Sequence, residues 1–191
     1  ACGCRFGPWF PNQPDIIYDH RYVFDEIGYN LKPLELQACM GLKQLEKLDY
    51  MHERRKHNFK RMHEIFSEFD CMFHLPSAEE KADVSWFGFL VTLRDGVTFK
   101  KSALIDHLEA AKIQTRSYFT GNALFHPAYQ DLAKKYKDPA GQFPVATKST
   151  KDTFFVGVWP GMTDEQMDYI QEVLRKFCWK YKISIPYDER K

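Results

Sequence analysis

The chain has 191 residues, 44% of them hydrophobic and 16% aromatic, which is ample for a buried core and excludes an intrinsically disordered segment. Its 27 basic and 26 acidic residues leave a net charge of +1, so no overall field draws it to nucleic acid or an anionic membrane, and an anionic ligand must be held locally. No run approaches the roughly 18 apolar residues of a membrane span, and the N-terminus lacks a signal-peptide pattern, so the expected setting is cytoplasmic.

The opening Ala1-Cys2-Gly3-Cys4-Arg5-Phe6-Gly7 has no initiator methionine and reads as the interior of a longer polypeptide. A polar loop follows and ends in Gly28-Tyr29-Asn30-Leu31-Lys32, directly before Pro33 at the favoured first-turn position of a helix. The Asn30 amide, the Lys32 ammonium and free backbone N–H groups at a helix entrance together favour a phosphate or carboxylate, a local anion clamp. Asn30 equally suits the cap of that helix, and the two roles are compatible. Leu34, Ala38, Leu42, Leu45 and Leu48 recur at spacings of three and four, and the pattern continues through Met51, Arg55, Phe59, Met62, Ile65, Phe66 and Phe69. The spacing predicts a long helical segment over 34–68 with a break near Asp49. Its basic cluster, residues 52–57, reads as a solvated face.

Three aromatic and β-branched runs predict strands at Trp86–Leu93, Ile113–Phe119 and Phe154–Trp159. Between them, Ser102 can cap a helix carrying Leu104, Ile105, Leu108 and Ala111, and Pro127 can start another carrying Tyr129, Leu132 and Tyr136. Thr163 and Gln166 form a capping-box pattern ahead of Met167, Ile170, Val173, Leu174 and Phe177. Residues 178–191 show no period and read as a surface tail. The fold class is therefore α/β, a small, mainly antiparallel sheet covered by helices.

No nucleophilic constellation is apparent. The cysteines, Cys2, Cys4, Cys39, Cys71 and Cys178, are scattered and odd in number, without disulfide or zinc spacing; Cys39 and Cys71 sit in patterns where small thiols fill core space. Histidines 20, 52, 57, 63, 74, 107 and 126 are dispersed and make no zincin motif. There is no glycine-rich phosphate loop, and Ser85 and Ser117 lack a nucleophile-elbow signature. Trp86 and Phe87 read as core before substrate platform. Taken alone, the chain looks like a binding or supporting domain.

Four passages carry a resemblance that extends this reading: CGCRF at 2–6, YDHRYVFDEIGYNLKPLELQA at 18–38, SWFGF at 85–89 and TRSYFTGNALFHPAY at 115–129. They resemble the DegT/DnrJ/EryC1/StrS family of sugar aminotransferases and dehydratases. CGCRF with YDHRY and TRxxFxGN points to the branch of nucleotide-sugar 3-dehydratases acting on CDP- or GDP-4-keto-6-deoxyhexoses, and Arg54, Arg55 and Asn58 look like the family's arginine-rich continuation.

The resemblance implies the C-terminal part of a fold-type I enzyme that uses pyridoxal or pyridoxamine phosphate and works as a homodimer. Residues 1–33 would be the loop leading from a missing cofactor domain, 34–177 the small domain and 178–191 the tail. It implies that Asn30, with Lys32 beside it, reaches the cofactor phosphate of the partner subunit. Arg116, Phe119, Gly121 and Asn122 would border the nucleotide-sugar pocket, with His20 in a supporting hydrogen bond. The base, a histidine in 3-dehydratases and a lysine in related aminotransferases, would lie upstream of Ala1, so no catalytic residue is assigned within the chain. Cys2 matches one ligand of a two-iron two-sulfur cluster found in part of the branch. Four thiolates are needed for such a cluster, so the other three would lie upstream, and an iron–sulfur flavin reductase would be its partner. The expected function is a nucleotide-sugar 3-dehydratase of deoxysugar and O-antigen synthesis. A sugar-nucleotide aminotransferase and a noncatalytic dimerisation or binding module remain alternatives.

Overall fold

The computed structural model describes residues 5–28 and 34–185. Cys2, Asn30, Lys32 and Pro33 lie outside the described residues, as do residues 186–191 of the expected tail. Near the N-terminus, β1 (Phe6–Gly7) and β2 (Tyr18–Asp19) pair antiparallel, and a 3-10 turn at His20–Tyr22 follows. Two helices, α1 (Glu35–Leu45) and α2 (Leu48–Ser67), take the place of the segment expected over 34–68, and the break falls at 46–47, just ahead of Asp49. Then come β3 (Phe73–His74), β4 (Gly88–Leu93), α3 (Lys101–Ala110) and β5 (Thr115–Ser117). After two 3-10 turns the chain forms α4 (Gln130–Ala133), α5 (Pro139–Gln142), α6 (Pro144–Asp152), β6 (Thr153–Gly157) and α7 (Asp164–Tyr181).

The main sheet has the order β3-β4-β6-β5, with every neighbouring pair antiparallel. Alternation along the strands puts Phe89, Val91, Phe154 and Val156 on one face, where they are buried with Phe66 of α2, Leu104 and Leu108 of α3, and Leu174 and Phe177 of α7. Burying each such side chain contributes about 1.5–3 kcal/mol, so this layer is what drives the fold. Leu90, Phe155 and Arg116 stand opposite one another in the register and share the other face. The capping box forms as expected: Thr163 accepts from the Gln166 N–H while the Gln166 side chain accepts from the Thr163 N–H.

Several expectations need correction. The strands are shorter than their hydrophobic runs. Trp86 stacks on Phe59, with ring centroids 3.9 Å apart, and the Trp86 and Phe87 carbonyls accept from Arg55, so both residues stand outside the ladder. At the end of β5 the backbone turns because Phe119 adopts a φ of 43°, and beyond β6 the Trp159 carbonyl accepts from Asn58. Ser102 caps nothing: α3 begins at Lys101, and its entrance at Lys100 has no side-chain cap. Pro127 opens a 3-10 turn, and the short α4 that follows stops at Ala133, before Tyr136. The stripe Leu34, Leu42, Leu45 and Leu48 is exposed, because nothing among the described residues packs on α1. Cys39 and Cys71 are exposed too, whereas Cys178 is buried. The last helix runs to Tyr181, so the boundary expected at 178 falls inside α7. There Phe177 and Tyr181 stack at 4.4 Å and keep that turn against the core.

Candidate functional site

A cavity of about 730 Å³ opens at the end of the sheet where β6 leaves for α7. Arg116 enters it from β5 and Arg55 from α2, while Tyr22, Phe87, Phe155 and Trp159 supply aromatic walls. Lys112, in the left-handed turn after α3 at a φ of 64°, adds a third cation, and Glu165 is the carboxylate among the lining residues. Arg116 has no hydrogen-bond or ion-pair partner among the described residues. A planar guanidinium so placed is suited to a diphosphate or to sugar oxygens, and the rings are suited to a base or a sugar face.

Phe119 forms a ridge beside this cavity. Its ring lies 5.9 Å from Phe155, 6.3 Å from Phe87 and 6.4 Å from Tyr22, centroid to centroid. The left-handed backbone at Phe119 costs about 1–2 kcal/mol for a residue with a Cβ. Two contacts hold it: the Phe119 N–H donates to the Ser117 carbonyl at 2.8 Å, and the Tyr18 hydroxyl donates to the Phe119 carbonyl. Burial, then the Asp19 and Tyr22 charges, push the Tyr18 phenol well above its ordinary range, so it stays a donor. On its far side Phe119 borders a second cavity of about 670 Å³, lined also by Tyr118, Gly121, Phe143 and Pro144.

The expected pocket residues thus divide. Arg116 lines the first cavity, Phe119 and Gly121 the second, and the Phe119 ring adjoins both. Gly121 has a φ of +60°, and a Cβ there would come within 3.0 Å of Thr150 Cβ, so glycine allows the loop to rest on α6. Asn122 is only 3% exposed and its carboxamide is spent on structure. It accepts from the Leu124 N–H and donates to the Pro139 carbonyl and the Thr147 hydroxyl. Its part is to brace the loop from within. The sequence reading missed Tyr22, Arg55, Phe155 and Trp159. For Arg55 a signal existed, since it stands four residues before buried Phe59 and so shares the inward side of α2.

Charge also fixes the N-terminal segment to the site. Buried Asp19 accepts from Arg5 at 3.1 Å and from Arg21, and Arg5 reaches Glu109 at 2.9 Å and the Thr115 carbonyl of β5. Burial opposes ionisation of Asp19, but the bonds from Arg21 and Arg5 outweigh it and hold the carboxyl below its usual range. His20 Nδ1 lies 3.0 Å from the Arg5 carbonyl, a supporting contact. His126 is fully buried: the Phe24 N–H donates to its Nδ1, so its Nε2–H donates to the Thr120 carbonyl at 2.7 Å. Burial lowers its pKa and keeps the ring neutral.

Among the described residues no cluster of histidine, cysteine, aspartate or glutamate could hold a metal ion. Nor do they compose a site for a pyridoxal-type cofactor. Lys101 is the buried lysine whose pKa burial lowers, to about 8, but its ammonium donates to the Thr150 and Thr153 carbonyls and lines neither cavity. Among the described residues, no helix is long and apolar enough to cross a membrane.

Three relatives stand beside this geometry. The chain is 36% identical over 93% of its length to the lipopolysaccharide biosynthesis protein RfbH of Salmonella typhimurium, and spans 40% of that protein. It is 38% identical over 85% of its length to the dTDP-4-dehydro-2,6-dideoxy-D-glucose 3-dehydratase of Saccharopolyspora spinosa, and spans 34% of it. A solved E. coli GDP-4-keto-6-deoxy-D-mannose-3-dehydratase with bound hydrated PLP superposes with a TM-score of 0.62 at 25% identity, over 89% of this chain and 45% of that one. The chain therefore spans less than half the length of each of these relatives. The profile described as the DegT/DnrJ/EryC1/StrS aminotransferase family matches residues 14–175, most of the chain including both cavities' principal walls, and the chain belongs to that family.

Proposed function

We propose that this chain is the substrate-facing C-terminal part of a pyridoxal- or pyridoxamine-phosphate-dependent enzyme acting on a nucleotide-linked 4-keto-6-deoxy sugar, of the 3-dehydratase branch. The observation that carries the reading is the convergence of Arg116 and Arg55 with Tyr22, Phe87, Phe155 and Trp159 around one cavity. Guanidinium groups match a diphosphate, and aromatic faces match a nucleobase or a sugar ring. The names of the 3-dehydratase relatives support the same substrate class. Electron flow in such a reaction belongs to the cofactor, and the part assigned here is to hold the nucleotide sugar in place. In this reading Asn30 and Lys32 meet the cofactor phosphate of a partner subunit in a homodimer, and the uncovered leucines of α1 support a buried interface just beyond them.

Titration of the chain with GDP, CDP and dTDP tests the proposal. A charge-assisted hydrogen bond is worth about 1.5–3 kcal/mol, so Arg116→Met should weaken binding of the preferred nucleotide about 10- to 100-fold. Arg94→Met, at the far edge of the sheet, should leave it unchanged. Equal behaviour of the native chain and Arg116→Met toward all three nucleotides would overturn the reading.

A further inference from the structure

The two segments bearing the aromatic lips of the larger cavity leave the sheet at the same end. Phe87 immediately precedes β4 and Trp159 follows β6, and Gly88 pairs with Gly157 as the terminal register of those strands. Neither segment is held by ladder hydrogen bonds beyond that pair. Both are instead gripped by one turn of α2. Arg55 donates to the carbonyls of Trp86 at 2.9 Å and Phe87 at 3.4 Å. Arg54 donates to the carbonyls of Pro160 at 3.3 Å and Met162 at 3.0 Å, and Asn58 to that of Trp159 at 2.7 Å. Phe59 stacks against Trp86 almost parallel, at an interplanar angle of 4°.

Two features separate this arrangement from ordinary surface charge. Neither Arg54 nor Arg55 pairs with a carboxylate among the described residues, although exposed Glu53 is their neighbour in sequence. Their donors go to backbone oxygens, which fixes positions in space without neutralising charge. Asn58 is fully buried, and its Oδ1 meets no hydrogen-bond donor among the described residues. Gly88 completes the construction: a Cβ there would come 2.7 Å from the Phe155 ring, so the lip can close on that ring only with glycine behind Phe87.

We propose that Arg54, Arg55 and Asn58 form a brace that sets the spacing between Phe87 and Trp159 and thereby determines what the cavity admits. They are positioning residues for the nucleotide sugar, and this rests on the reading of that cavity given above. Arg55 has a double part, since it also lines the cavity.

Hydrogen exchange on the intact chain, combined with GDP titration, tests the brace. The double variant Arg54→Met/Arg55→Met should speed exchange at the amides of Phe87, Gly88, Trp159 and Met162 by about tenfold or more, as local opening there becomes easier, with core amides of α7 unchanged. GDP affinity should fall by about tenfold or more in the same variant, with Arg54→Lys/Arg55→Lys recovering part of both effects. Arg61→Met, which removes an exposed ion pair to Asp168 from the same helix, should change neither. Should the double variant fail to fold, Arg54→Met alone, which lines no cavity, carries the same comparison at the Trp159 and Met162 amides. Unchanged lip exchange in a folded variant overturns the brace, as does faster lip exchange with GDP affinity intact. Faster lip exchange in a chain whose native form takes no nucleotide leaves the brace standing and removes the substrate reading instead.

Discussion

Lys101 shows how one residue can join distant parts of this fold at an electrostatic cost. Its ammonium is buried and ties the start of α3 to the Thr150 and Thr153 carbonyls, where α6 hands over to β6. Burial disfavours the charged form and lowers the pKa to about 8, while Asp152 acts weakly in the opposite sense. A neutral amine still has two N–H groups, so both carbonyls remain served after deprotonation. The unfolded lysine titrates near about 10.4, so between about 8 and 10.4 the unfolded chain binds more protons and stability rises with pH. Below that window both states are charged, and the full burial cost is present. In urea melts at pH 7.5 and pH 10, the native chain should gain stability relative to Lys101→Met by about 2 kcal/mol. A difference that stays flat across that range would show that Lys101 is not titrating as a buried group.

At the scale of elements, local chemistry and tertiary contact contributed unequally. The capping box at Thr163 and Gln166 is a purely local signal, and it starts α7 where the residue pattern said it would. Thr163→Ala should cost about 1 kcal/mol, which for a domain of this size lowers Tm by about 2–4 °C. Thr163→Ser should restore most of it, and a calorimetric scan of the three proteins decides. Helices α2, α3 and α7 were legible in the same way, because each presents an apolar stripe to a single core. The strand limits were not legible. Trp86, Phe87 and Trp159 have strand-forming side chains, yet their carbonyls are claimed by Arg55 and Asn58 from another element. Helices α5 and α6 escaped for a different reason: α5 is a single turn, and Phe143 gives the entrance of α6 no side-chain cap. Of the candidate site, Arg116 and Phe119 could be read from TRSYFTGN. The partners that turn them into a cavity wall come from residues 22, 55, 87, 155 and 159, which only the fold brings together.

For the whole molecule, α1 is the element that the other described residues leave uncovered. Leu36 is 76% exposed, Leu42 66% and Leu45 62%, and Met40 and Leu48 are similarly uncovered. A helix apolar around most of its circumference is normally a buried one, and covering three such leucines contributes about 5–9 kcal/mol. That is comparable to the net stability of a whole domain, so solution conditions should favour covering them. Such a surface is also far from the charge-studied surface of a stable monomer. The chain should therefore self-associate through α1 at micromolar concentration, and sedimentation velocity should show a species of about twice the monomer mass. Leu42→Glu/Leu45→Glu should convert it to monomer with the Tm of the native chain diluted until it dissociates, since neither side chain contacts the core formed by α2, α3, α7 and the sheet. A native chain that sediments as a monomer at every concentration would refute association through α1, and a variant that melts below the dissociated native chain would mean that α1 packs on its own domain in solution.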